Sequence, residues 1–550
     1  MKKNILLSIL SGLLLWIAWS PTQYTTFLLF GALVPMLVMM EKIIGSETVT
    51  RKGAKLFWAA FIGFFIWNTL CIYWVYNSLK GAGEVIALFV SIIPYSLGPL
   101  LMALTCWLYY RMRLLTDRAI SLAGFVALWL GYEYLHQVWD LNFPWMSLGN
   151  GFAVAHQWVQ WYEYTGIYGG SLWILLTNIL FFIAYISYKH NTVTKRQHIR
   201  QIVAFAAAVV LPLGLSLIMY YTYTEQENPS NVVIAQPNID PYAKAGTIPH
   251  KTQLRIAAQI SDSVAQPNTE FFIWPETAIA GYMNEDNIRK DSLYLFAKQF
   301  IKKYRNGNLI TGAETLRLYD NRATSTAMPA DTTGKLFYDQ YNTALHIENS
   351  SNVQFYHKSK LVPGAEEIPF ISVFGFMKPA FEHLGGSSGG YAGQPEAGVF
   401  YSQSGIGVDP VICYESIFGE YVGESVAKGA QFIAIITNDG WWENTSGKDQ
   451  HLDYAKLRAI ETRRWVCRSA NTGISAFINQ RGDIVKRTDW WVKTAIKHDI
   501  NLNSDLTFYV RYGDYLARAA GLLSIGIIFW LIFHVTIRKR KVSAHVSEYR

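Results

Sequence analysis

GVDPVICYESIFG, residues 407–419, is the stretch on which the fold turns. The apolar pair Val411-Ile412 delivers Cys413, and Tyr414, Glu415 and Ser416 follow at once. A strand that ends on a cysteine and then turns polar puts a thiol at the rim of a sheet, where α/β folds carry their chemistry. A lone cysteine is more often a small buried hydrophobe than a nucleophile. The rest of the chain has to decide between the two.

From Asn231 onward the pattern repeats. Apolar runs occur at VVIAQPN (232–238), FFIWPET (271–277), LITGAET (309–315), TALHIE (343–348), VQFYHK (353–358), FIAIITND (432–439), WVCRSANTG (465–473) and SAFINQRG (475–482). Continuous apolar runs of this length predict strands covered on both faces. Helical stretches such as 285–304 and 449–464 lie between them. The expectation is an α/β sandwich of αββα type over residues 225–515. Three runs end on reactive groups, at Glu276, Lys358 and Cys413. A carboxylate to take the thiol proton, a thiolate to attack a carbonyl and an ammonium to hold the oxyanion suit acyl transfer. An ammonium nearby is also expected to lower the thiol pKa. Singly, each residue has a plainer explanation: Glu276 as a cap after Pro275, Lys358 as a surface lysine beside Lys360.

The remaining chain is too apolar for a soluble protein. Of 550 residues 51% are hydrophobic and only 16% charged, against about 25% charged in a usual soluble domain. Mean hydropathy is +0.13. Apolar segments at 5–19, 23–40, 56–79, 85–110, 119–137, 166–188, 201–223 and 516–537 predict eight spans, most near the ~20 residues a bilayer needs. The first resembles a signal peptide in its Lys2-Lys3 start and short apolar core. A retained helix is preferred because a second span follows immediately. Basic residues fall on every second loop: Lys2 and Lys3; Lys42, Arg51, Lys52 and Lys55; Arg111, Arg113 and Arg118; Lys189, Lys195, Arg196 and Arg200; Arg538 to Lys541. This pattern places both termini in the cytoplasm and the large domain outside. The net charge of +8 is then topological, with no call for nucleic acid. The expected division is 1–224 membrane domain, 225–515 catalytic domain, 516–537 last span and 538–550 basic tail. The loop Trp139–Gly166 is dense in aromatics and reads as an interfacial segment or an aromatic belt. Glu133 and His136 end the fifth span and are placed at the interface.

Four cysteines, Cys71, Cys106, Cys413 and Cys467, show no metal-like spacing. A Cys413–Cys467 disulfide is the structural alternative for both. Asp449, His451 and Asp453 read as a solvated helix start rather than a metal site. No metal or cofactor is expected.

WPET around Glu276, YHKSKLVPGAEEIPF around Lys358 and VICYES around Cys413 resemble the Glu-Lys-Cys triad of the nitrilase superfamily. The eight spans, FPW at 143–145, YNTAL at 341–345, the LVP segment and NDGWW at 438–442 extend the likeness to the apolipoprotein N-acyltransferase family over almost the whole chain. The resemblance implies Glu276 as general base, Cys413 as the nucleophile that becomes a thioester, and Lys358 as support for the tetrahedral intermediate. It further implies a supporting carboxylate at Glu366, with Glu367 the fallback. Tyr414 and Glu415 then flank the nucleophile and shape how the thioester meets the incoming amine. Asn342 is implied as a supporting residue, and Trp441 or Trp442 as an aromatic near the entrance. The sequence departs from the family in Lys360, which stands where a histidine is usual, in Gly364-Ala365, and in the want of an early tryptophan, for which Tyr242 is the stand-in.

The implied reaction moves an acyl chain from a membrane phospholipid, most often phosphatidylethanolamine, to the α-amine of a diacylated apolipoprotein. It needs no cofactor and no nucleic acid. The implied protein is a monomer in the bacterial inner membrane with its catalytic domain in the periplasm. The apolar run 370–381 is proposed to dip into the bilayer or else to pack inside the domain, and 383–394 to act as a lid or hinge. The rival readings are a membrane-anchored amide hydrolase and a non-catalytic lipid-binding or transport protein.

Overall fold

The computed structural model describes residues 1–80, 83–241, 247–367 and 390–547, with 536–547 as backbone only. All eight apolar segments contain helix. They form α1 (Lys2–Ile17), α2 (Val34–Gly45), α3 (Lys52–Ile72) with the short α4 (Val75–Leu79), α5 (Glu84–Arg113), α6 (Arg118–Val138), α7 (Tyr162–Lys189) and α8 (Lys195–Thr222). The last helix of the chain, Tyr515–Ser547, is the eighth. A 3₁₀ turn, Thr26–Phe30, leads into α2. Six of these are long and apolar enough to cross a membrane: Thr26–Gly45, α3, α5, α7, α8 and Tyr515–Val535. Two fall outside that set. Helix α1 has only 16 residues, about 24 Å of rise against a hydrocarbon core of ~30 Å. Helix α6 is less apolar and buries Glu133, His136 and Gln137 in its last turns.

The aromatic loop after α6 is not a headgroup belt. Trp145, Leu148, Phe152 and Tyr162 are all buried in one cluster with the membrane helices and with Tyr414, Phe418 and Tyr454 of the outer domain. Glu133 braces the loop from below, accepting from the Leu148 N–H and Trp129 Nε1, both at 2.9 Å. It is therefore buried inside the protein packing.

The outer domain contains β1 (Pro229–Gln236), α9 (His250–Val264), β2 (Phe271–Ile273), β3 (Ile279–Asn284), α10 (Ser292–Ile301), β4 (Asn308–Tyr319), β5 (Met328–Pro329), β6 (Phe337–Glu348), β7 (Val353–His357), β8 (Phe400–Tyr401), β9 (Gly407–Ile412), α11 (Gly419–Ala427), β10 (Phe432–Thr437), α12 (Ser446–Thr462), β11 (Val466–Ala470), β12 (Ala476–Ile478), β13 (Ile484–Arg487), β14 (Thr494–Asn501) and α13 (Phe508–Tyr512); Tyr515–Ser547 is α14. One sheet has the order β14-β1-β2-β4-β6-β5, with β3 on β4 and β7 on β6; the second has β13-β12-β11-β10-β9-β8. The two stack face to face. In β1, Val232 and Ile234 point between the sheets while Val233 and Ala235 point at α9. In β10, Phe432, Ala434 and Ile436 face inward while Ile433 and Ile435 meet α11 and α12. This period of two, apolar on both faces, is what a four-layer αββα sandwich demands.

Cysteine chemistry is simpler than the disulfide alternative allowed. All four cysteines are free thiols, and Cys467 lies on β11 in the core between the sheets. Residues 370–381 and Tyr242 lie outside the described residues. Of the expected lid only 390–394 is described, and it is tied to the sheet: Tyr391 N–H donates to the Glu366 carbonyl and Ala392 N–H to that of Gln340, both at 2.8 Å.

Helices α1 and α3 cross through glycine. A Cβ on Gly12 would collide with the Gly63 carbonyl, and one on Gly63 with the Ser8 backbone. Close backbone approach of this kind is how membrane helices pack without a hydrophobic driving force. Gly63→Leu should therefore separate α1 from α3 and cost at least about 3 kcal/mol, read as a lower unfolding midpoint in detergent. An unchanged midpoint would mean that the crossing carries no packing energy.

Candidate active site

Glu276 lies in the turn after β2. The turn is pinned across to β4 by the Trp274 N–H on the Ile310 carbonyl (2.9 Å) and the Gly312 N–H on the Pro275 carbonyl (3.2 Å). Only glycine fits at 312, since a Cβ there would lie 2.6 Å from Glu276 Cα. Lys358 follows β7 directly, its N–H bonded to the Asn342 carbonyl at 2.8 Å. Cys413 follows β9 and opens a 3₁₀ turn, Cys413–Ile417. Two residues at these strand ends have left-handed backbones, Thr277 at φ 47° and Cys413 at φ 51°. That conformation costs a residue with a Cβ about 1–2 kcal/mol and is stored where geometry is imposed by function.

The three strand ends meet. The Lys358 ammonium, 1% exposed, donates to Glu366 Oε1 at 2.8 Å and lies 3.7 Å from Glu276 Oε1. Asn342 on β6 joins them, its amide donating to Glu276 Oε1 at 2.8 Å and to Glu366 Oε1 at 3.4 Å. Glu366 Oε2 accepts from the Val362 N–H at 2.9 Å, which holds the 358–366 loop in shape. Burial alone would lower the Lys358 pKa, but the Glu366 and Glu276 carboxylates outweigh it and raise the value, so the ammonium stays charged. Glu367 forms no ion pair with Lys358. Burial and the Asp140 and Glu366 carboxylates push it up to about 7. Of the two candidate carboxylates, Glu366 is the one on the lysine.

The Cys413 thiol runs against the expectation of an ammonium-lowered pKa. Burial pushes it up, the Glu276 carboxylate adds to the rise, and Lys358 opposes without prevailing. Cys413 therefore rests as a neutral thiol beside the Glu276 carboxylate.

Glu415 is a strut. It is fully buried, with Oε2 on the Ile412 N–H (2.8 Å) and Oε1 on the Ser359 N–H (2.6 Å), the Lys360 N–H (3.2 Å) and the Tyr356 hydroxyl (2.7 Å). It ties the nucleophile turn to the lysine loop, leaving its oxygens committed to the fold rather than turned to an incoming amine. Burial brings its pKa to about 7. Tyr414 points to the membrane part, donating to the Asn142 carbonyl at 2.8 Å. Trp442 stacks among Trp74, Trp145 and His451, with ring centroids 4.8, 5.8 and 5.2 Å away, so it belongs to the docking surface. Trp441 in the same turn is exposed. His451 is buried rather than solvated, on Asp439 and Ser416, and no cluster suited to a metal occurs among the described residues. Asp439 and His451 are the residues sequence reading passed over, although FIAIITND ends polar just as DPVIC does.

Residues 11–180 match the family described as apolipoprotein N-acyltransferase N-terminal domain, and residues 232–504 match the carbon-nitrogen hydrolase family. The chain is similar to a protein named apolipoprotein N-acyltransferase from Chlorobaculum tepidum, 29% identical over 552 residues, with 98% of each chain covered. Two more of that name are similar: one from Geobacter metallireducens (26% identical, 94% of this chain and 93% of that one) and one from Nitrosomonas europaea (28%, 82% and 83%).

The electrostatics make a signed prediction for Glu276→Gln. Removing a negative charge beside the thiol favours the thiolate, so the pH midpoint for alkylation of Cys413 by iodoacetamide should fall. If Glu276 is the base that the resemblance implies, its loss should at the same time slow acylation of Cys413 by about 10²–10⁴-fold. An unchanged midpoint would show that the Glu276 charge does not act on the thiol, and a rise would reverse the sign of the interaction.

Proposed function

The chain belongs to the apolipoprotein N-acyltransferase family, and from that premise we propose how its own residues carry the transfer. The observation that supports the assignment is the buried Lys358 ammonium between Glu276 and Glu366, at the strand ends that also present Cys413. Glu276 takes the proton of the Cys413 thiol as sulfur attacks an ester carbonyl of a membrane phospholipid, with the sn-1 ester of phosphatidylethanolamine as the first candidate. Lys358 holds the developing oxyanion. The carbon–oxygen bond breaks, Glu276 returns its proton to the departing glycerol oxygen, and the lysophospholipid leaves a thioester on Cys413. The neutral α-amine of a diacylglyceryl-cysteine then attacks that thioester. Glu276 accepts the amine proton, the carbon–sulfur bond breaks, and the proton passes to the sulfur. The product is an N-acylated lipoprotein, and no atom is left unaccounted for.

Glu366 and Asn342 act through Lys358 and Glu276, fixing the distance between acid and base. Glu415 and Tyr414 hold the nucleophile turn, and Trp442, with Trp441 beside it, lies where the catalytic domain meets the membrane part. We read all eight helical segments as crossing the bilayer, α1 and α6 through packing on α3 and α14. The domains are then 1–224, 225–515 and 516–537 with a basic tail. Both termini are cytoplasmic, the catalytic domain is periplasmic, and a single chain in the inner membrane suffices.

Intact-protein mass spectrometry tests the reading directly. After incubation with phospholipid the full chain should gain one acyl mass, released by hydroxylamine, and Cys413→Ala should gain none. Equal acylation of Cys413→Ala would remove Cys413 as nucleophile, and acylation of neither protein would remove the lipid donor.

A further inference from the structure

Behind Cys413 lies a group of side chains for which the transfer steps have no use. Asp439, His451, Arg468 and Ser416 are each at most 1% exposed. Arg468 Nη2 donates to Asp439 Oδ2 at 2.5 Å, and the Thr437 hydroxyl donates to Oδ1 at 3.0 Å. His451 Nδ1 lies 3.0 Å from that same Oδ1. On its other edge, His451 Nε2 is 2.9 Å from Ser416 Oγ and 3.2 Å from the Cys413 carbonyl oxygen. Ser416 Oγ also lies 2.8 Å from that carbonyl and donates to it. The spacing is that of a Ser-His-Asp nucleophile. It is not a second nucleophile, because Ser416 is sealed from substrate and its hydroxyl is committed to the Cys413 carbonyl.

The proton count explains the arrangement. A carboxylate partner requires a proton on Nδ1, so the 3.0 Å approach of Arg468 Nη2 to Nδ1 is a contact made through the shared Asp439. A serine hydroxyl has one hydrogen, and here it goes to the Cys413 carbonyl, with His451 Nε2 beside both oxygens. The carbonyl they converge on is that of the one residue in the triad with a left-handed backbone, Cys413 at φ 51°. The Ser416 hydroxyl donating to that oxygen, with the His451 ring edge packed against the same atom, fixes the peptide plane after Cys413 and, with it, the direction of the thiol.

We propose that His451, braced by Asp439 and Arg468 and working with Ser416, is a positioning residue that holds Cys413 in the left-handed turn from which its thiol faces Glu276 and Lys358. The proposal rests on the reading of Cys413 as nucleophile.

The test uses the full chain in lipid nanodiscs containing phosphatidylethanolamine and follows single-turnover acylation of Cys413 by mass. His451→Ala should slow acylation by about 10²-fold, the usual consequence of a misplaced reacting group, with the KM for phospholipid unchanged. His451→Gln, whose amide can donate to the carbonyl, should recover most of that loss. Should His451→Ala fail to fold, Ser416→Ala decides: it removes one donor and leaves the ring, and should slow the same step by about 5-fold, the worth of one hydrogen bond. Acylation at the wild-type rate in His451→Ala, or in Ser416→Ala where it decides, overturns the proposal. So does a loss in His451→Ala that His451→Gln does not recover. Failure of the wild type to acylate would instead strike the lipid-donor reading, and acylation of Cys413→Ala would strike the nucleophile assignment.

Discussion

A lysine ammonium buried to 1% exposure is the constraint around which this catalytic domain is built. An isolated buried charge is expensive, and removing one partner of a buried pair typically costs about 3–5 kcal/mol. Lys358 is therefore tolerable only because Glu366 and Glu276 come to it. Each is brought by a different device. Glu276 hangs on a turn pinned through Gly312, and Glu366 is held by the Val362 N–H. Asn342 reaches both carboxylates from the strand between. The lysine loop is then fastened to the nucleophile turn by Glu415, which takes backbone N–H groups from both sides. Electrostatic necessity and catalytic geometry are the same set of contacts.

The second constraint is the seam with the membrane part, and helix α12 carries most of it. Gln450 accepts from the indoles of Trp145 (2.8 Å) and Trp74 (3.2 Å) and donates to the carbonyls of Ser20 and Cys71. One turn on, Tyr454 donates to the Trp145 carbonyl and accepts from Trp19 Nε1. His451 lies between these anchors with Trp145 and Trp442 against its ring. The same helical turn that docks the domain therefore touches the carbonyl of Cys413. Arg463 on Glu163 (2.5 Å) and Gln137 on Asp514 (2.7 Å) extend the seam along its length. Such a dense polar and aromatic contact makes the two parts one mechanical unit, as an enzyme whose substrates reside in a bilayer requires.

The layers of the outer domain and the three reacting residues were legible because strand ends leave a local signature: an apolar run that stops on a polar residue. That signal singled out Glu276, Lys358 and Cys413, and the continuity of the runs pointed to the sandwich. It failed where burial reverses the expected character of a residue. The 139–166 loop reads as interfacial from its aromatics, but its neighbours in space, Tyr414, Phe418 and Tyr454, are hundreds of residues away. His451 reads as solvated because Asp449 and Asp453 flank it, whereas its partners Asp439, Ser416 and Arg468 come from three other elements. The thiol was expected to be lowered by Lys358. That judgement weighs charge alone, and sequence does not show desolvation.

The raised thiol also bears on why this fold transfers rather than hydrolyses. A thiolate is a better leaving group the lower its pKa. Burial and Glu276 push Cys413 the other way, so a thioester at this position is slow to break until something delivers a proton to sulfur. A neutral amine is a stronger nucleophile towards a thioester than water, and on the proposed mechanism Glu276 passes its proton to the sulfur as the bond breaks. The environment that makes Cys413 a reluctant nucleophile thus makes its acyl form a patient intermediate, able to outlast the exchange of a lysophospholipid for a lipoprotein. On the proposed mechanism Glu276 and Lys358 would serve water and amine alike, so the choice between them falls to the stronger nucleophile, the amine.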